Sequence, residues 1–203
     1  MSHHEKPTEK FGIASSSLSD DLKLDDVFEQ YKSEILGVVY FLYGASESAA
    51  TLAYEKLRER CSRNYANSKI SDLHAWVFRV LYNLAYEAVG NVKPRRHKNA
   101  SGSSPELDGL SSNEEATARA RRKFLQEVFL DFPFHERAVF LLRQNGGLSY
   151  EQIARVTGRS LAEVKTLMKD ALFKLVDALE RFSILASEKK REIAASDAEE
   201  DSE

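Results

Sequence analysis

The sequence predicts an all-α protein made of two small helical domains on a flexible linker, and three observations carry that expectation. Apolar residues recur at three- and four-residue intervals along most of the chain, the period of helices with one buried face. Only four prolines and nine glycines interrupt 203 residues. Between the periodic segments lies Asn91 to Ser112, with Pro94, Gly102, Pro105, Gly109 and many serines, a linker composition that splits the chain.

The expected elements follow in chain order. Residues 1–23 are polar and aperiodic and read as a disordered tail. A first domain is expected over 24–91. Its first helix carries Val27, Phe28, Tyr31, Ile35, Val38, Val39 and Leu42 and stops at Gly44. Ser46 and Glu47 open a second helix with Ala49, Leu52, Ala53 and Leu57 inward. Cys61 to Ser71 is polar, reads as a loop, and holds Arg63, Tyr65 and Lys69. Ser71-Asp72 opens a third helix with Leu73, Trp76, Val77, Val80, Leu81 and Leu84 as its apolar stripe, ending near Gly90. Three such helices make one compact bundle. The linker is placed at 92–112, with a basic run at Lys93, Arg95, Arg96 and Lys98 around its start. A second domain is expected over 113–187: a helix to Leu130, then one started by Pro133, where a missing N–H costs nothing, and closed by Gly146-Gly147. Residues 188–203, with seven acidic side chains against three basic, read as a disordered acidic tail.

The second domain ends in the most structured stretch of the sequence. Ser149 is followed three residues later by Gln152, and Ser160 three residues later by Glu163, two capping boxes about eleven residues apart. Gly158 between them can take the positive φ that stops a helix. Two helices on a short Gly-containing turn are the sequence form of a helix-turn-helix. Ile153, Ala154 and Val156, then Leu161, Val164, Met168, Ala171 and Leu175, supply the inner faces. Arg159, Ser160, Glu163, Lys165, Thr166 and Lys169 are left near the outer N-terminal half of the second helix, the part that enters a major groove in DNA-binding versions. The same features also describe an αα-hairpin that only packs.

Composition narrows the class. With 42% hydrophobic residues the chain can bury cores, and no apolar run is long enough to span a bilayer. The N-terminus lacks the apolar core of a secretory signal, and Cys61 stands alone, so a reducing, cytoplasmic setting is expected without disulfides or a cysteine metal cluster. Net charge is −3, which permits a DNA partner only through local positive patches. There is no phosphate loop, nucleophile elbow or helical His pair, and His74, His97 and His135 are scattered, so neither an enzyme nor a cofactor is expected.

Two sets of residues resemble the extracytoplasmic-function group of bacterial RNA polymerase sigma factors. Phe132-Pro133, Arg137 with Val139 to Arg143, Gly147 to Ala154, and then Gly158, Ser160, Val164, Lys165, Ala171 and Leu175 look like its region 4. Ala75 to Ala85, with Trp76, Arg79 and Asn83, and the helix with Gly44, Glu47, Ala49, Leu52, Glu55 and Leu57, look like its region 2. The resemblance covers about 24–98 and 113–182. It implies a sigma factor binding core RNA polymerase, region 2 on the β′ clamp and region 4 on the β flap, with an anti-sigma factor as a further partner. It also implies promoter contacts: the minus-35 element through Arg159, Ser160, Glu163, Lys165, Thr166 and Lys169, and the minus-ten element through Arg63, Asn64, Tyr65, Lys69, Arg79 and Asn83. Polymerase contact would fall on Glu47, Leu52, Tyr54 and Glu55. A loop with cations and one aromatic suits phosphates and an unstacked base, although an ordinary solvated connection has the same composition. Trp76 suits a core better than a stacking platform.

The departures are specific. Thr51 and Tyr54 stand where the group usually has Asp and Gln, and Leu167, Asp170 and Leu172 stand at its basic positions after Lys165-Thr166. Fewer cations mean a shallower salt dependence of DNA binding, roughly one unit per phosphate contact. The alternative reading is therefore a sigma-like interaction module that binds polymerase or an anti-sigma partner without directing initiation. A plain helix-turn-helix regulator is a third reading, which the region 2 resemblance disfavours.

Overall fold

A computed structural model describes residues 23–66, 70–90 and 114–200. Linker 92–112 and Lys69 fall outside the described residues, as does nearly all of tail 1–23. The described residues form helices and no strands: α1 (Leu24–Gln30), α2 (Lys32–Leu42), α3 (Glu47–Tyr65), α4 (Leu73–Ala85) running into a π turn (Tyr86–Gly90), α5 (Glu114–Leu130), α6 (Phe134–Gln144), α7 (Tyr150–Thr157) and α8 (Leu161–Glu200). The all-α class is as the sequence predicts.

Local signals place most boundaries. Ser46 accepts from the Ala49 N–H (3.4 Å) and Asp72 from the Ala75 N–H (2.9 Å), each satisfying a donor of a first turn. Gly44 takes φ 81° after α2. Three boundaries differ from expectation. The first helix breaks at Tyr31, whose φ of −109° and ψ of 22° leave the helical region while its ring packs on His74, 4.1 Å between centroids. α3 continues through the expected loop to Tyr65, because Cys61 extends the buried row Ala50, Ala53, Leu57 by one more turn while Ser62, Arg63 and Asn64 face water. α8 does not stop near Ser187. It remains helical to Glu200 rather than becoming a disordered acidic tail at 188; no Gly or Pro follows Gly158, and the Glu, Lys, Arg and Ala of that segment are strong helix formers.

Both groups of helices feed one continuous core. Phe28, Ile35, Leu57, Phe78 and Leu81 from the first meet Leu141, Leu142, Leu148, Ile153 and Met168 from the second. Ring contacts cross the seam, with Phe41 edge-on to Phe129 at 5.7 Å. So does a hydrogen bond between Tyr82 Oη and His135 Nδ1 at 3.0 Å. A smaller cluster of Phe124, Ala178, Phe182 and Ala186 fixes α5 along the distal part of α8. Cys61 is fully buried, and burial pushes its thiol up to about 12, so it is a core residue without nucleophilic character.

Candidate functional site

The α7–α8 unit is built from its caps. Ser149 Oγ accepts from the Gln152 N–H (3.1 Å), and Gln152 Oε1 accepts from the Ser149 N–H (2.7 Å). At α8, Ser160 Oγ accepts from the Glu163 N–H (3.2 Å), and Glu163 Oε2 accepts from the Ser160 N–H (2.9 Å) and hydroxyl (2.7 Å). The Ser160 hydroxyl and backbone hold the Glu163 carboxyl below its usual range. Gly158 closes α7 at φ 67°, with open space where a side chain would go. Gly158→Ala therefore meets no clash and should cost only the left-handed conformation, about 1–2 kcal/mol, read as a lower melting temperature with unchanged helical content.

Val164, Met168 and Ala171 are buried, and this leaves Lys165, Thr166 and Lys169 exposed on α8. The Thr166 hydroxyl donates to the Ala162 carbonyl (3.0 Å), which turns its methyl outward. Arg159 departs from this outward set. It is partly buried, pairs with Glu163 at 3.6 Å, and stands close enough to Tyr82 and His135 to influence both. Burial raises the Tyr82 hydroxyl and Arg159 works against that rise; burial and Arg159 together lower His135. A residue absent from the expected set joins the site. Arg143 donates to the Leu148 carbonyl (2.9 Å) and lies over the Tyr150 ring at 5.2 Å; the Glu151 carboxyl is held below its usual range by its own backbone N–H and the Ser149 hydroxyl, with Lys165 and Arg143 adding to that. No short-range pattern links Arg143 to Lys165; only the turn at Gly146-Gly147 brings them to one side.

Gln152 reaches beyond its own cap. Its Nε2 donates to Asp72 Oδ2 (2.8 Å), while Asp72 Oδ1 caps α4. One amide thus closes two helix starts and ties α7 to the first group of helices.

The other candidates divide. Arg79 and Asn83 lie exposed one turn apart on α4, and Trp76, a turn earlier, packs beside Tyr65 (6.4 Å) at the end of α3. Arg63 and Asn64 are exposed on that same end, Arg63 paired with Glu59 at 2.6 Å, a surface pair of small energetic weight. Glu47, Leu52 and Glu55 are exposed on α3, Leu52 to 53%. Tyr54 is not a free surface anchor. It is partly buried, edge-on to Phe28 at 5.9 Å, with a hydroxyl that finds no hydrogen-bond partner, and burial raises its pKa. Tyr54→Ala should therefore lower stability by about 1–2 kcal/mol, whereas Tyr54→Phe should be neutral or stabilising because it removes a buried unpaired hydroxyl. Paired thermal melts of the two variants check this; equal losses would mean that the hydroxyl has a partner in solution.

A family model described as "Sigma-70, region 4" matches residues 133–175, which covers α6, α7 and α8 as far as Leu175. RNA polymerase sigma factor YlaC of Bacillus subtilis (strain 168) is 25% identical over 158 residues, spanning 75% of this chain and 89% of that protein. The chain is thus similar to a sigma factor, with a segment like sigma-70 region 4. The similarity to YlaC extends well beyond the segment like region 4, so the first group of helices is part of the likeness. The matched segment holds the helix-turn-helix formed by α7 and α8. Among the described residues no helix is long and apolar enough to cross a membrane.

Proposed function

We propose that this protein is a sigma factor of the extracytoplasmic-function type that binds core RNA polymerase in the cytoplasm and directs promoter-specific initiation, with α8 reading the minus-35 element and the α3–α4 end engaging the minus-ten element. The observation that carries this reading is the exposed row Lys165, Thr166, Lys169 on α8, a helix started by the Ser160–Glu163 box and with its inner face occupied by core. Lysines suit phosphates, and a threonine suits either a base edge or a phosphate. The Arg79/Asn83 face beside Tyr65 and Trp76 offers a cation, an amide and aromatics of the kind that hold unstacked bases. Glu47, Leu52 and Glu55 are the exposed remainder of the expected polymerase set. No catalytic step is proposed.

A second reading has its own observation. Asp170 and Leu172 are exposed at positions where the group carries cations, and Lys174, the next lysine, is held at Glu136 (2.5 Å) and over the Phe132 ring (5.5 Å). This favours a sigma-like module that occupies polymerase or an anti-sigma partner without starting transcripts. Run-off transcription with core polymerase and a library of promoter fragments separates the two. Specific transcripts are expected; stable polymerase binding without any would favour the second reading.

A further inference from the structure

We propose that the outer face of α8 is a self-association surface, on which a second copy of this chain docks antiparallel and covers the recognition residues. Beyond Lys169 the helix turns apolar on its water-facing side: Leu172, Phe173, Val176, Leu179 and Ile184 are all at least 41% exposed, and Phe173 reaches 73%. Singly exposed apolar side chains are ordinary, but a row of them along four turns of one helix marks a contact surface. The buried side of the same helix is already satisfied by Val164, Met168, Ala171, Ala178, Phe182 and Ala186, so this row is not a mispositioned core stripe.

The sequence of that face selects the occupant. At about 3.6 residues per turn, Lys169, Phe173, Val176 and Glu180 fall on one line. If a second α8 is laid antiparallel with the two-fold axis near Leu175, Phe173 of each copy meets Val176 of the other, and Lys169 meets Glu180 twice. The same register sets Thr166 against Ser183 and Leu172 beside Leu179. A parallel pairing would instead oppose Lys169 to Lys169 and Glu180 to Glu180. The face is thus complementary to itself in one orientation only, as a two-fold contact requires. A single helix face is smaller than the ~800 Å² per partner of a standard stable interface, so the dimer is weak and concentration-dependent. It would also cover Lys165, Thr166 and Lys169. On the proposed DNA-reading role of those residues, dimer and promoter exclude each other and are linked reciprocally.

Sedimentation velocity of the full chain over a concentration series, without DNA or polymerase, tests the surface independently of the transcription reading. A monomer–dimer equilibrium is expected, abolished in V176E with unchanged circular dichroism, since Val176 is 53% exposed. K169E and E180K should each raise the dimer Kd about tenfold, through loss of two pairs and like-charge opposition, and the double variant should restore it. A monomer at every concentration, or a double variant as weak as its parents, would overturn the proposal. If dimerisation behaves as expected but added promoter duplex does not compete with it, the surface stands and the DNA-reading assignment of α8 falls.

Discussion

Phe78→Ala should destabilise the whole chain by about 3–5 kcal/mol, the range for emptying a fully buried aromatic site, against a total stability of about 5–15 kcal/mol for a domain. Phe78 is completely buried on α4, edge-on to His74 at 5.0 Å, and its ring lies across the seam against the end of α6. There Gly146 leaves no room: an added Cβ would come 3.3 Å from the Phe78 ring and 2.8 Å from the Leu142 carbonyl oxygen. The carbonyl belongs to the backbone and cannot swing aside, so Gly146→Ala should also destabilise, from the other side of the same contact. The measurement is thermal unfolding followed by Trp76 fluorescence, which reports the first group of helices, and by far-UV circular dichroism, which reports all of them. Both probes should move together in both variants, because the core is continuous from Ile35 to Met168. Two separable transitions, with the second unmoved by Phe78→Ala, would mean that the halves do not share this core in solution.

That seam is also where sequence reasoning fell short. Most features written within one turn of backbone were legible. The Ser149–Gln152 and Ser160–Glu163 boxes, the helix start at Ser71-Asp72, the stop at Gly44 and the positive φ of Gly158 were all readable from spacing and residue type, because each depends on one turn of backbone. Features that depend on a partner far along the chain were not. Asp72 caps its own helix with one oxygen, but nothing local says that the other takes the Gln152 amide, 80 residues on. Tyr82 finds His135, 53 residues on, and Arg159 is drawn toward that pair when its position in the turn suggested an outward cation. Tyr54 follows the same rule: its helix phase is intermediate, and only the Phe28 ring turns it partly inward. The polar run at Arg63–Tyr65 looked like a loop because hydrophilicity was weighed above the four-residue step from Leu57 to Cys61. On α8 the lost cations at Asp170 and Leu172 were visible in the sequence. The exposed apolar row that continues from them needed the buried face to be known first.

Lys165→Glu should reduce promoter-directed initiation to background while leaving helical content, melting temperature and polymerase affinity unchanged. Lys165 is fully available on the outer face of α8, and the buried neighbours Val164 and Met168 take no support from its side chain, so a structural loss is not expected. Its local partner is electrostatic: the Glu151 carboxyl at the start of α7, lowered first by its own backbone N–H and Ser149, is lowered further by Lys165 and Arg143. Reversal at 165 would therefore set a second carboxylate toward Glu151 on the side where phosphate must approach. Removing one phosphate contact lowers the salt dependence of DNA binding by about one unit, and a charge reversal adds repulsion to that loss. Lys165→Gln separates the two effects. It should weaken binding about equally for all sequences and flatten the salt slope, without the repulsion. Thr166→Ala is the specificity probe beside it, since a threonine against a base edge should change the preferred sequence rather than the slope. Competition binding with matched and mismatched minus-35 duplexes at several salt concentrations measures all three. Full initiation by Lys165→Glu would take α8 out of DNA reading and leave the module reading, in which polymerase is occupied and no promoter is read, as the better account of the chain.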